Sequence, residues 1–171
     1  MSNDIGTKFE IFVEQLFKDL GKRKVRRDIN YKLINRFSKK SIKIIQIDVE
    51  FYDWFGKYIV ECKYLSNGKV KDDDVNKLKK NLDYLELEKA IIATNQDFHI
   101  QAKRLAKKLK HDENKKILLY NREKLQSLDY DRMSLSAALF QRMRGISLEN
   151  KIRRINRKRY LNKSYSEKRY F

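Results

Sequence analysis

The sequence predicts an α/β fold: an αβββαβ core around a mixed central sheet, followed by a basic helical C-terminal extension. Three observations predict it. Apolar residues recur at helical spacing over residues 4–20, and apolar and polar residues alternate over residues 46–64. Two short apolar runs, Ala90-Ile91-Ile92-Ala93 and Ile117-Leu118-Leu119-Tyr120, then stand between helical patterns, as buried strands do.

In the first segment Ile5, Phe9, Phe12, Val13, Leu16, Phe17 and Leu20 share one helix face, and Gly21 supplies a stop. Glu10 and Glu14 lie one turn apart on its flank, where a solvated face is their simplest role. Residues 22–34 are basic and alternating, with Val25, Ile29, Tyr31 and Leu33 as inward positions of a first strand. Residues 35–40 form a polar, cationic turn, and from Ser41 the chain rises into the next strand.

That strand and its successor form a hairpin. Ile47, Val49 and Phe51 alternate with Asp48, Glu50 and Tyr52; Val60, Cys62 and Tyr64 alternate with Ile59, Glu61 and Lys63. The turn is Asp53-Trp54-Phe55-Gly56, with Gly56 free to take a positive φ. This turn pairs Tyr52 with Lys57, Glu50 with Ile59 and Asp48 with Glu61. The last two carboxylates then face each other, about 5 Å apart at Cβ, with Lys63 on the same face.

After Ser66-Asn67-Gly68, residues 69–88 read as a helix on Val75, Leu78, Leu82, Leu85 and Leu87. Asp72, Asp73 and Asp74 near its start suit a helix N-terminus electrostatically. The first apolar run ends at Thr94-Asn95 and a helix follows over 97–110; after the second, Asn121 caps a short helix to Leu128.

Two acids and a lysine on one face of an apolar hairpin admit two readings. Like charges that close repel, and a hard divalent cation between them removes the conflict. A lysine beside such an ion can steady an attacking water or a developing negative charge. The other reading is an exposed face carrying a cross-strand salt bridge such as Lys63 with Asp48.

Asp48, followed after twelve residues by Glu61-Cys62-Lys63, resembles the PD-(D/E)XK nuclease core, in particular the Mrr-like restriction endonuclease and archaeal Holliday junction resolvase branches. Ile47 stands where a proline is usual. Gly6-x-x-Phe9-Glu10 and Leu20-Gly21 resemble the opening of those sequences, and residues 89–94, Ala102, Ala106 and Glu123-Lys124-Leu125 resemble their second half. The likeness covers about residues 5–128. It implies a restriction-endonuclease-like fold and Mg²⁺-dependent hydrolysis of DNA phosphodiester bonds, with Mn²⁺ as a substitute ion. Asp48, Glu61 and the Cys62 carbonyl would hold the metal, Glu10 would add a ligand or bind its water (Glu14 being the fallback), and Lys63 would act on the nucleophile or the pentacovalent charge.

Residues 131–171 fall outside that likeness, so the chain divides into 1–130 and 131–171. Met133, Leu135, Leu139, Phe140 and Met143 suggest one helix, and residues 146–161 a second that carries Arg153, Arg154, Arg157, Lys158 and Arg159. From Asp131 onward twelve basic residues face three acidic ones, half of the net charge of +18. With Tyr160, Tyr165, Tyr170 and Phe171 interleaved, this is either a solvated basic tail or a DNA-binding arm.

The charge points to a polyanionic partner, nucleic acid or an acidic membrane surface, and the resemblance implies DNA. No stretch approaches the roughly 20 apolar residues of a membrane span, so no membrane role is expected. One cysteine excludes an internal disulfide and, with no signal peptide, argues for a cytoplasmic protein. Two histidines and one cysteine leave zinc little support. Besides a metal-dependent endonuclease in general, three readings remain open: a junction resolvase acting as a homodimer, a restriction-like enzyme that reads a sequence or methylated bases, and a non-catalytic nucleic-acid-binding module that kept the fold.

Overall fold

The structure is a computed structural model that describes residues 5–34 and 41–131. The turn expected at 35–40 and the extension from residue 132, with Arg153, Arg154, Arg157, Lys158 and Arg159, lie outside the described residues. In chain order the elements are α1 (Ile5–Asp19), β1 (Arg23–Ile34), β2 (Ser41–Asp53), β3 (Gly56–Lys63), β4 (Lys69–Val70), α2 (Asp72–Tyr84), β5 (Lys89–Thr94), β6 (Asp97–Phe98), α3 (Ile100–Asp112) and β7 (Lys116–Tyr120). A helix, α4, then covers residues 122–131.

α1 ends where the sequence places its stop. Gly21 sits at φ 73°, and the Gly21 and Lys22 amides donate to the Lys18 and Phe17 carbonyls, both at 3.0 Å. Asn121 caps α4, its side-chain oxygen accepting the Lys124 amide at 3.1 Å. α2 is shorter than the predicted 69–88. Lys69–Val70 instead pairs in parallel with Asp97–Phe98, and past Tyr84 the chain turns through Glu86 at φ 54°. For the same reason α3 begins at Ile100, where the His99 ring nitrogen accepts the Gln101 amide at 3.4 Å.

The main sheet has the order β1-β2-β3-β5-β7. β1, β2 and β3 run antiparallel, and β5 and β7 join β3 in parallel, which makes the sheet mixed as expected. Each face buries a separate core. Ile59, Ile92, Leu78, Leu82, Ala102 and Leu109 close one beneath α2 and α3. Val13, Phe17, Phe51, Val60, Ile91 and Leu125 close the other beneath α1 and α4. No described helix is long and apolar enough to cross a membrane.

Strict alternation would put Ile47, Val49 and Phe51 on one face of β2. They divide instead: Ile45 and Ile47 join the α2/α3 core, Val49 and Phe51 the α1 core. The exchange occurs at Asp48. The β1–β2 ladder runs through Arg27–Val49 and Ile29–Ile47 but omits the intervening pair, and Asp28 opposite Asp48 sits at φ 55°. Tyr31 and Leu33 of β1 likewise pack on the α2/α3 core and Val25 on the α1 core, so the two strands change faces together at Asp28 and Asp48.

Candidate active site

The expected pairs Tyr52–Lys57 and Glu50–Ile59 are formed, but the β2–β3 ladder ends at Val49–Val60. Asp48 and Glu61 are therefore not a backbone pair. The Asp48 carboxylate accepts the Cys62 amide directly, Oδ2 to N 2.6 Å. Burial pushes the Asp48 carboxyl up to about 6; the Cys62 amide opposes the rise, Glu61 and Glu10 add to it, and Lys63 opposes it.

Glu61 is buried, and its Oε1 takes two ammonium groups, Lys63 Nζ and Lys77 Nζ, each at 3.2 Å. Lys63 also reaches Asp74 Oδ1 on α2 at 3.2 Å. The ion pairs Lys63 makes thus run to Glu61 and α2, whereas the cross-strand reading of the hairpin expected Asp48. Burial alone would lower the Lys63 pKa, but Glu61 and Asp74 outweigh it and hold the ammonium above the usual lysine value. The Cys62 side chain packs against the α1 core, and burial, with Asp48, Glu10 and Glu61 nearby, pushes its thiol well above the ordinary range. A thiol so placed favours its neutral form.

The two α1 glutamates separate by their surroundings. Glu14 is held by Lys18 at 2.7 Å and Arg27 Nε at 3.5 Å. Glu10 has the looser contact, Arg27 Nη1 at 3.6 Å, and its charge reaches both Asp48 and Cys62. The structure thus gathers Asp48, Glu61 and Lys63 at the meeting of β2 and β3, with Glu10 approaching from α1.

Sequence reasoning missed Lys77, Asp74 as the second anchor of Lys63, and Arg27 between the two glutamates. Asp74 and Lys77 had a signal: one turn apart, flanking Val75 and Leu78, they border the face of α2 that meets the sheet. Another buried acid was also missed. Glu50 is fully buried and accepts from Arg26 Nε at 2.9 Å, from the Tyr31 hydroxyl, and from Lys57 Nζ at 2.8 Å. Its partners satisfy it fully, and it fixes β1 to the hairpin.

Among the described residues no three His, Cys, Asp or Glu side chains converge into a ready cage for an ion. The donors nevertheless fit Mg²⁺, which takes hard oxygens and commonly binds through one or two carboxylates while keeping several waters. Asp48 and Glu61 supply carboxylates, and the two ammonium groups on Glu61 Oε1 mark that oxygen as a cation position.

The profile of the restriction endonuclease family Mrr_cat matches residues 4–128. No curated protein matches the chain. Among solved structures, the protein of unknown function AF1548 superposes with a TM-score of 0.53 at 16% identity, over 67% of this chain and 56% of that one. The protein VC1899 from Vibrio cholerae superposes with 0.52 at 17% identity, over 78% and 33%. The chain thus spans about half of the first and a third of the second, and these likenesses concern the fold. With its α-helix-first mixed sheet and its family match over residues 4–128, the chain belongs to the Mrr_cat restriction endonuclease family, a nuclease domain of the PD-(D/E)XK type.

Proposed function

We propose that the protein is a divalent-metal-dependent DNA endonuclease whose centre is Asp48, Glu61 and Lys63, assisted by Glu10. One observation carries this reading: the Asp48 carboxylate accepts the Cys62 amide at 2.6 Å, beside the buried Glu61 whose Oε1 pairs with Lys63 at 3.2 Å. Asp48, Glu61 and the Cys62 carbonyl would hold Mg²⁺, or Mn²⁺ in its place, and Glu10 would add a ligand or bind its water. Such an ion, when bound, lowers the pKa of a coordinated water and offsets charge on the scissile phosphate.

The rest of the chemistry falls to the chain. The Cys62 amide fixes the orientation of the Asp48 carboxylate. Glu61 and Asp74 hold Lys63 from two sides and keep it protonated, so its ammonium is ready to orient the attacking water or meet charge developing on phosphorus.

The test is cleavage of linear duplex, single-stranded, flapped and four-way DNA in Mg²⁺ or Mn²⁺. Glu61→Gln and Lys63→Ala each lose about a hundredfold or more in rate while DNA affinity stays within about threefold, and EDTA stops the reaction. Cleavage that persists in both variants sinks the site assignment. Preference for the four-way substrate replaces the endonuclease reading with a resolvase, and binding without cleavage of any substrate leaves a non-catalytic module.

A further inference from the structure

We propose that the tip of the β2–β3 hairpin is a second nucleic-acid contact, stacking Trp54 and Phe55 on bases while Arg23, Lys24 and Lys89 meet phosphates. The inference rests on the nuclease reading above and adds to it where the substrate is gripped.

Trp54 is 90% exposed and Phe55 77% exposed, so two adjacent large aromatic rings stand in water. Exposed tips of this kind are commonly loose, but this one is fastened. The Phe55 amide donates to Asp53 Oδ1 at 2.7 Å, Arg23 Nη2 donates to the Asp53 carbonyl at 3.0 Å, and the Lys89 ammonium donates to the Phe55 carbonyl. Gly56 closes the turn at φ 120°. A rigid tip loses little freedom when something stacks on it.

The surroundings identify the occupant. The Arg23 guanidinium lies 5.4 Å from the Trp54 ring, Lys89 Nζ 5.8 Å from Phe55, and Lys24 Nζ 5.6 Å from Tyr52. The acid at the tip, Asp53, already faces Lys22 at 4.0 Å. Beside Trp54 a cleft of about 130 Å³ is lined by Lys22, Arg23, Tyr52 and Asp53. Flat rings interleaved with Arg23, Lys24 and Lys89, which make no ion pair among the described residues, match a chain of bases and phosphates. A second copy of the chain would bring its own charge of +18 against these cations. The tip also lies away from the cutting centre: Gly56 to Glu61 is five residues of β3, about 17 Å, so the two contacts fall on different nucleotides.

The chain's single tryptophan is Trp54, so the protein carries its own reporter. The experiment uses the full chain in EDTA and again in Ca²⁺, with single-stranded and duplex oligonucleotides and with heparin, a polyanion without bases. Binding is followed by anisotropy of the labelled probe and Trp54 by its emission and acrylamide quenching. The expected result is that DNA shields Trp54 from acrylamide while heparin binds without doing so. Trp54→Ala/Phe55→Ala weakens DNA binding about tenfold, with an unchanged circular dichroism spectrum. Saturated DNA binding that leaves Trp54 accessible overturns the inference and spares the nuclease reading. Shielding by heparin alike, or shielding that grows with protein concentration alone, also overturns it, the latter in favour of self-association. No DNA binding at all overturns both readings together.

Discussion

Lys77 Nζ lies 3.2 Å from Glu61 Oε1, on the same oxygen that Lys63 holds at 3.2 Å. Lys77 is well exposed and belongs to α2, so it occupies a cation position next to the hairpin without being built into it. The metal ion proposed at Glu61 would compete with it for that carboxylate. Lys77→Met should therefore tighten metal binding, about two- to fivefold, the range expected for a solvent-exposed ion pair. Calorimetric titration with Mn²⁺ reads this directly, and weaker binding in the variant would make Lys77 a supporting residue rather than a competitor.

The second prediction separates the α1 glutamates. Glu10 acts electrostatically on Asp48, whereas Glu14 is engaged by Lys18 and Arg27. Glu10→Gln should reduce cleavage far more than Glu14→Gln, and its deficit should shrink as Mg²⁺ is raised. Equal mild losses would return both to the solvated face, and the reverse order would move the role to Glu14.

The third concerns Glu50. Burial would raise its pKa, but hydrogen bonds from Lys57, Tyr31 and Arg26 outweigh burial and hold it below the usual value of 4.5. A depressed carboxylate contributes stability above its unfolded pKa, and the contribution is lost as pH falls through the folded one. Glu50→Ala leaves Lys57 and Tyr31 beside an empty acid position and should cost about 3–5 kcal/mol. Arg26→Ala should cost much less, because that side chain is 61% exposed. Thermal melts from pH 3 to about pH 7 check both points: Glu50→Gln should flatten the acid limb, and an unaltered limb would assign acid unfolding elsewhere.

The fourth concerns residues 131–171, proposed as a DNA-binding arm that includes Arg153, Arg154, Arg157, Lys158 and Arg159. Truncation after Tyr130 removes half of the net charge. Affinity should fall most at low salt, and the slope of log K against log salt should flatten by about 0.9 per lost phosphate contact. Cleavage at saturating DNA should change much less. An unchanged slope means that these charges do not touch DNA; an unfolded product or a lost dimer means that the segment is structural.

Local pattern alone determined a good deal of this protein. Helical spacing placed α1, the Asp53–Gly56 turn set the hairpin register through Tyr52–Lys57 and Glu50–Ile59, and the apolar runs placed β5 and β7. These features depend on neighbours within a few residues, so the chain carries them wherever it is folded. The same register put Asp48, Glu61 and Lys63 near one another, and the family resemblance on those residues agrees with the match over residues 4–128.

Tertiary structure decided the rest. Period two cannot reveal that β2 changes faces at Asp48, opposite an Asp28 at positive φ in the partner strand. Nor can it reveal that Asp48 meets the Cys62 amide instead of pairing across to Glu61, which the end of the ladder at Val49–Val60 permits. Asp74 and Lys77 come from a helix that reaches the sheet only through packing of Val75, Leu78 and Leu82. Glu50 read as one more polar position on an alternating strand, yet it is fully buried because Arg26, Tyr31 and Lys57, distant in sequence, converge on it. Spacing along the chain fixes which residues are close neighbours on an element; the charges that one element meets on another are set when the layers pack.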